Sequence, residues 1–210
     1  MSFVKEFIAE SIEILKKLDQ VAVENVAQCL ATVRQAGGRV FVLGVGGSAA
    51  SASHFVNDLR KLTAIEAYAP TDNVSELTAR INDEGWAGCF AEWLKGSHLR
   101  KNDMVFVLSV GGGDQKLNVS PNLVAALAYA REQGASIAGI VGRTGGYTAE
   151  VANACVIIPP LFADRITPHT EAMHSVVGHL LVSHPKLKAN TAKWESMVKP
   201  TCAGGCLCQG

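Results

Sequence analysis

The sequence predicts a doubly wound α/β sandwich, on three observations. Short runs that are apolar at every position alternate with helical segments, and two of these runs open into glycine-rich turns. The chain of 210 residues is 48% hydrophobic, which supplies a large core. A strand without polar alternation is buried on both faces, and that requires a parallel sheet covered by helices on both sides.

The elements follow in order. Residues 2–36 read as an N-terminal helical region, because Phe3, Phe7, Ile8, Ile12, Leu15 and Leu18 recur at helical spacing. The stripe runs on through Val21, Val26, Leu30 and Val33 until Gly37-Gly38 closes it. Such a long amphipathic helix is a candidate subunit contact, with packing on its own domain an equal alternative. Strands are expected at 40–43, 104–108, 137–141 and 155–158, with a weaker one at 64–68. Helices are expected at 48–61, 75–96, 121–133, 146–152 and 168–183, the last opened by Thr167 as N-cap and Pro168 as first residue. One domain then covers 1–200, with 37–185 as the α/β core and a Cys/Gly-rich tail at 201–210.

Nineteen Lys and Arg balance nineteen Asp and Glu, so the formal net charge is zero and only 18% of residues are charged. Nucleic acid and anionic membranes both need clustered cations, so neither is an expected partner. A weakly charged, apolar-rich surface favours self-association. The start lacks a basic segment followed by an apolar one, and the longest uncharged stretch, 40–57, is interrupted by glycines and serines. A cytoplasmic location is therefore expected. Cys29, Cys89 and Cys155 sit in apolar segments and read as reduced, packed thiols. Cys202, Cys206 and Cys208 lie in the glycine-rich tail without a fourth ligand nearby, and read as part of a mobile tail rather than a metal site.

Open parallel sheets bind ligands at the carboxyl ends of their strands. The first glycine-rich end is Gly44-Val45-Gly46-Gly47-Ser48-Ala49, followed at once by a helix. Glycines let backbone approach a ligand, and the helix N-terminus offers free N–H groups to a phosphate. The second is Ser109-Val110-Gly111-Gly112-Gly113-Asp114, running to Ser120-Pro121, where Ser120 is the expected N-cap of the next helix. The first loop also fits a dinucleotide fingerprint, with Glu66 22 residues after Gly44. Two such loops suit a phosphosugar better than a dinucleotide, so no nucleotide cofactor is expected.

His54 and Asp58 are four apart and share a helix face. On the last helix His179 falls about 80° from Glu171, whereas His174 falls about 140° from His179 and is not expected to enter the same site. Each alone is more often a solvated or satisfied residue. Together, His54, Asp58, Glu171 and His179 suit proton transfer, or a divalent metal held by two histidines and two carboxylates.

These residues resemble a known family. The pattern Gly44-x-Gly-Gly-Ser48 with His54, Asn82-Asp83-x-Gly85-Trp86, the loop at Ser109, Gly142-Arg-x-Gly-Gly146, and Ala163-Asp164-Arg165-Ile166 before a histidine-bearing helix is similar to the phosphoheptose isomerases of the sugar-isomerase (SIS) domain family. The similarity spans about residues 1–185. It implies a flavodoxin-like five-stranded parallel sheet and a homotetramer joined by N-terminal helices. It also implies conversion of sedoheptulose 7-phosphate to D-glycero-D-manno-heptose 7-phosphate, with zinc in some members. By position, Gly46, Gly47, Ser48, Ser109, Gly111, Gly112 and Ser120 would surround the phosphate, and Asp83 and Asp164 the sugar. Asp58 takes the place of the family's catalytic Glu, and His179 that of its catalytic His. Four departures stand out: Val45 for Asn, Asp58 for the longer Glu, a longer triple-glycine second loop, and Glu171 for Gln after about four extra residues.

The resulting expectation is an enediol(ate) isomerisation. Asp58 serves as base, His179 as acid and base at the sugar oxygens, and a divalent metal, zinc, sits on His54, Asp58, Glu171 and His179. The roles of Asp58 as free base and as ligand compete. The alternative class is a non-catalytic SIS module that binds phosphosugars or protein partners.

Overall fold

The computed structural model describes residues 2–197. Five parallel strands form one sheet in the order β2-β1-β3-β4-β5: β1 (Val40–Leu43), β2 (Ala67–Tyr68), β3 (Met104–Ser109), β4 (Ser136–Val141) and β5 (Ala154–Ile157). That order is the flavodoxin-like one, and its switch point lies between β1 and β3. The helices are α1 (Phe3–Lys16), α2 (Gln20–Gln35), α3 (Gly47–Thr63), α4 (Val74–Gly96), α5 (Pro121–Glu132), α6 (Gly146–Val151), α7 (Ile166–Ser183) and α8 (Lys193–Met197).

Alternate strand residues feed two cores, which is why the runs carry no polar positions. Val40, Val42, Met104, Phe106 and Leu108 pack with α2, α3 and α7 on one face. Phe41, Leu43, Val105 and Val107 pack with α4 and α5 on the other. The sheet thus holds α3 and α7 side by side on one face. No helix among the described residues is long and apolar enough to cross a membrane.

The N-terminal region is two helices rather than one. Asp19 breaks it, its carboxylate accepting from the Val21 and Ala22 N–H groups at 2.9 and 3.1 Å as an N-cap. The stripe divides just beyond it, after the exposed Val21. Val26, Leu30 and Val33 of α2 are buried in this chain's own core, whereas Phe3, Val4, Ile8, Ile12 and Leu15 of α1 are exposed. The weak strand shrinks to Ala67–Tyr68 because Ala64 ends α3 in the left-handed region, at φ 55°. The last helix begins at Ile166, and Pro168 falls within its first turn, where a missing N–H costs nothing. Helix α4 bends at Gly85, whose φ of 75° and ψ of 165° are not helical.

Helix α1 is fixed to the head of α7 by a buried carboxylate. Glu10 accepts from the Arg165 guanidinium and lies 2.8 Å from His169 Nε2, while the His169 ring stacks on Phe7 at 4.3 Å. The Arg165 hydrogen bonds, with help from His169, hold the Glu10 carboxyl down at about 2, against its own desolvation. A carboxylate whose pKa is lowered by folding stabilises the fold above its unfolded value and loses that contribution as pH falls through its folded value. The docking of α1 is therefore expected to be complete above pH 4.5 and to weaken toward pH 2. Thermal melts across that window should show the loss, and Glu10→Gln should flatten it.

Cys29, Cys89 and Cys155 carry free thiols, and burial pushes Cys155 up to about 12. Such thiols are unreactive. Cys202, Cys206 and Cys208 lie outside the described residues.

Candidate active site

The two glycine-rich turns flank the switch point, one after β1 and one after β3. In the first, Gly46 holds φ 64° and ψ −129°, a conformation that suits glycine, and hands the chain to α3. Ser48 follows in the first turn of α3 and is 2% exposed. In the second, Ser109 Oγ accepts from Gly112 N–H at 3.0 Å. Gly112 has φ 73°, and a Cβ there would lie 1.9 Å from Gly145 O. Its carbonyl accepts from Thr148 N–H and Oγ1 at 2.9 and 2.7 Å, at the start of α6. Gly112 thus fixes the loop instead of presenting its N–H to a ligand. Gly111 and Ser120 are half-buried, and Ser120, at φ 50°, precedes α5 without a side-chain cap bond. Between them Asp114 and Val119 pair as a short antiparallel bridge, which lifts Leu117 into solvent at the loop tip.

Further along α3 the ionisable residues converge across to α7. His54 Nε2 and His179 Nε2 each lie 3.3 Å from the same Asp58 oxygen, Oδ2. The two rings meet edge to face with centroids 5.1 Å apart. Asp58 Oδ1 accepts from Asn57 Nδ2 at 2.9 Å. Asp58 is 8% exposed, whereas both histidines are exposed. Asp58 and His179 also line a cavity of about 420 Å³ whose other walls include Leu62, Lys188, Asn190 and Glu195. The binding of small polar molecules uses cavities of this size. Lys188 and Asn190 carry no spacing signal and were not legible in the sequence.

The trio fits a divalent cation. Its ligand atoms all lie within 4.8 Å of one another. In a tetrahedron with ligands at ~2.0–2.1 Å, two donors stand ~3.3–3.4 Å apart, close to the separation of each Nε2 from Oδ2. Glu171 stands outside the trio. Its carboxylate rests against the backbone of Gly47, where a Cβ would lie 2.6 Å from both oxygens. Asp83 accepts from Asn82 Nδ2 at 2.8 Å and is exposed, as is Asp164 ahead of α7, and neither belongs to the trio. His174 lines a narrow cleft together with His54, Asp58 and His179, despite its angular separation from His179.

Known proteins resemble this chain in sequence and fold. The SIS domain family matches residues 5–142. A phosphoheptose isomerase of Rhodospirillum rubrum is 35% identical over 165 residues, covering 76% of this chain and 82% of that protein. The lincomycin biosynthesis protein LmbN of Streptomyces lincolnensis is 33% identical over 191 residues, covering 88% of this chain and 69% of that protein. Among solved structures, phosphoheptose isomerase GmhA from Neisseria gonorrhoeae matches with a TM-score of 0.75 at 25% identity, over 86% of this chain and 96% of that one.

Proposed function

Because this chain belongs to the SIS domain family, among its phosphoheptose isomerases, and is a sugar-phosphate isomerase, we propose that it interconverts sedoheptulose 7-phosphate and D-glycero-D-manno-heptose 7-phosphate through an enediol(ate). The observation that carries the chemistry is the convergence of His54 and His179 on one oxygen of Asp58.

Ser48, Ser109 and Ser120 hold the phosphate with the backbone of Gly46, Gly47 and Gly111, and Asp83 and Asp164 take sugar hydroxyls. Ser48 precedes Asp58 by ten residues on α3, which is ~15 Å along the axis. A substrate with its phosphate at Ser48 must therefore lie extended in its open-chain form to bring its carbonyl toward the trio. A seven-carbon chain falls less short of that span than a five-carbon one, and the side chains at both ends make up the rest. Asp58 removes the proton from the carbon beside the ketose carbonyl and returns it to the carbonyl carbon. His179, exposed at its side, moves the proton between the two sugar oxygens. His54, Asp58 and His179 would hold a divalent metal, with zinc suited to the nitrogen and oxygen donors, while Glu171, ~12 Å along α7 from His179 and against Gly47, stands outside that set. The cation supplies polarisation of the substrate carbonyl when bound.

The exposed α1 stripe is proposed to join copies of the chain into a homotetramer. A partner covering Phe3, Val4, Ile8, Ile12 and Leu15 would remove from water an apolar face that this chain leaves open.

The test is conversion followed by NMR with sedoheptulose 7-phosphate beside pentulose phosphates. Aldose 7-phosphate should appear fastest from the heptulose. Chelation with EDTA should slow it and added zinc should restore it. A rate indifferent to chelation would remove the metal, and a preference for pentulose phosphates would remove the heptose assignment.

A further inference from the structure

The two glycine-rich loops proposed to hold the phosphate carry no cation of their own. Neither 44–49 nor 109–115 contains Lys or Arg. The second loop is also poor in donors, because Gly112 N–H is given to Ser109 Oγ and Val110, Gly111, Gly112 and Gly113 bring no hydroxyl. Glu171 adds a negative charge beside the first loop, its carboxylate resting against Gly47. A phosphate dianion held there finds no countercharge in either loop, although charge-assisted hydrogen bonds are the strong ones in phosphate recognition.

The turn after β4 offers one. Ser109 pairs with Val141 in the β3–β4 register, and Gly142 N–H extends that pairing by donating to Ser109 O at 3.1 Å. Two residues past each of these strand ends, Arg143 stands opposite Gly111, on chains that leave neighbouring strands ~4.8 Å apart. The arginine side chain lies along the loop: a Cβ on Gly111 would sit 4.0 Å from Arg143 Cδ. The missing side chain at Gly111 leaves that ground to the arginine. Arg39 and Arg165 are paired with carboxylates. Arg143 is exposed and has no hydrogen bond or ion pair through its guanidinium among the described residues.

The backbone beneath it disfavours an arginine. Gly145 N–H donates to Gly142 O at 2.9 Å, closing a turn in which Arg143 takes the second position with φ 50°. Positive φ at that position suits Gly, Asn or Asp, and a long side chain is strained in it. Strain of this kind clusters where the side chain is used.

We propose that Arg143 is a phosphate-binding residue, its guanidinium passing over Gly111 to donate to the phosphate oxygens of the substrate. It restores, from a neighbouring turn, what the triple-glycine loop gives up in side-chain donors. This role rests on the placement of the phosphate at the two glycine-rich loops.

Calorimetric titration of inorganic phosphate into the full chain tests it, on the wild type and on Arg143→Asn, Arg143→Lys, Lys116→Ala and Ser48→Ala. Asn fits the turn and removes the charge, so Arg143→Asn should weaken phosphate binding about tenfold or more while the melting temperature holds or rises. Arg143→Lys keeps the charge without the planar fork and should recover part of the affinity. Lys116 stands at the exposed loop tip, and Lys116→Ala should bind as the wild type does. Wild-type affinity in Arg143→Asn beside a loss in Ser48→Ala would overturn the arginine and leave the loops standing. Wild-type affinity in both, or no phosphate binding by the wild-type chain, would overturn the loop assignment and the arginine with it. An equal loss in Lys116→Ala, or a melting temperature that falls with affinity in Arg143→Asn, would contradict a direct contact.

Discussion

Asp58→Asn is expected to lower kcat by ~10²–10⁴-fold, the usual loss when a positioned acid or base is removed. Asn has nearly the same shape, and Asn57 and the two histidines can still surround it, so the fold and the melting temperature should hold. The proposed phosphate site, at Ser48 and the two glycine loops, begins ten residues earlier on α3, ~15 Å along the axis, so phosphate affinity should change little. Steady-state kinetics and inorganic phosphate titration read the two effects apart. Full activity in Asp58→Asn would remove Asp58 from the mechanism. A parallel loss of phosphate affinity would mean that the trio and the loops are one binding unit rather than two.

The second large effect concerns α1. Replacing Ile8 and Ile12 together by Glu should dissociate the proposed tetramer. Each buried side chain of this size contributes ~1.5–3 kcal/mol when removed from water, and a charge in its place adds a desolvation cost. Glu is a good helix former, so α1 itself should persist. The contacts that hold α1 to its own chain, through Glu10, Arg165 and His169, lie on the other side of the helix and should survive. Light scattering on the wild-type and doubly substituted proteins checks this. A wild-type monomer, or a variant that stays tetrameric, would contradict the assignment of the stripe.

Most of the fold was legible in the sequence because sheet burial on both faces leaves its mark residue by residue. Val40 and Val42 serve one core while Phe41 and Leu43 serve the other, so the run has no polar position to confuse it. The break between α1 and α2 was less visible because the apolar phase carries across it, although Asp19 ahead of a helical segment was a usable cap signal. What the stripe's periodicity could not say is which half faces this chain's own core. That depends on the packing of α2 against the sheet, a tertiary fact.

The candidate site was legible in part. Helical spacing placed His54 and Asp58 on one face, but their meeting with His179 required α3 and α7 to lie side by side. Angle alone misplaced Glu171, because it ignores rise along the axis. Glu171 is close to His179 in angle but eight residues away, ~12 Å along the helix, and ends against Gly47 instead. His174, far in angle, stays outside the trio as expected, although it lines a neighbouring cleft. Gly112 read as a phosphate ligand, yet its carbonyl and N–H are taken by Thr148 and Ser109. Loop-to-loop bonds of that kind leave no trace in local spacing.

Solvent exchange reads the proposed enolisation of a ketose phosphate at this site without relying on the identity of the product. Sedoheptulose 7-phosphate incubated with the protein in D₂O should take up deuterium at the carbon beside the carbonyl, at a rate tied to aldose formation and abolished in Asp58→Asn. A ketose recovered with all its carbon-bound protons, from protein shown to bind it, would contradict the account.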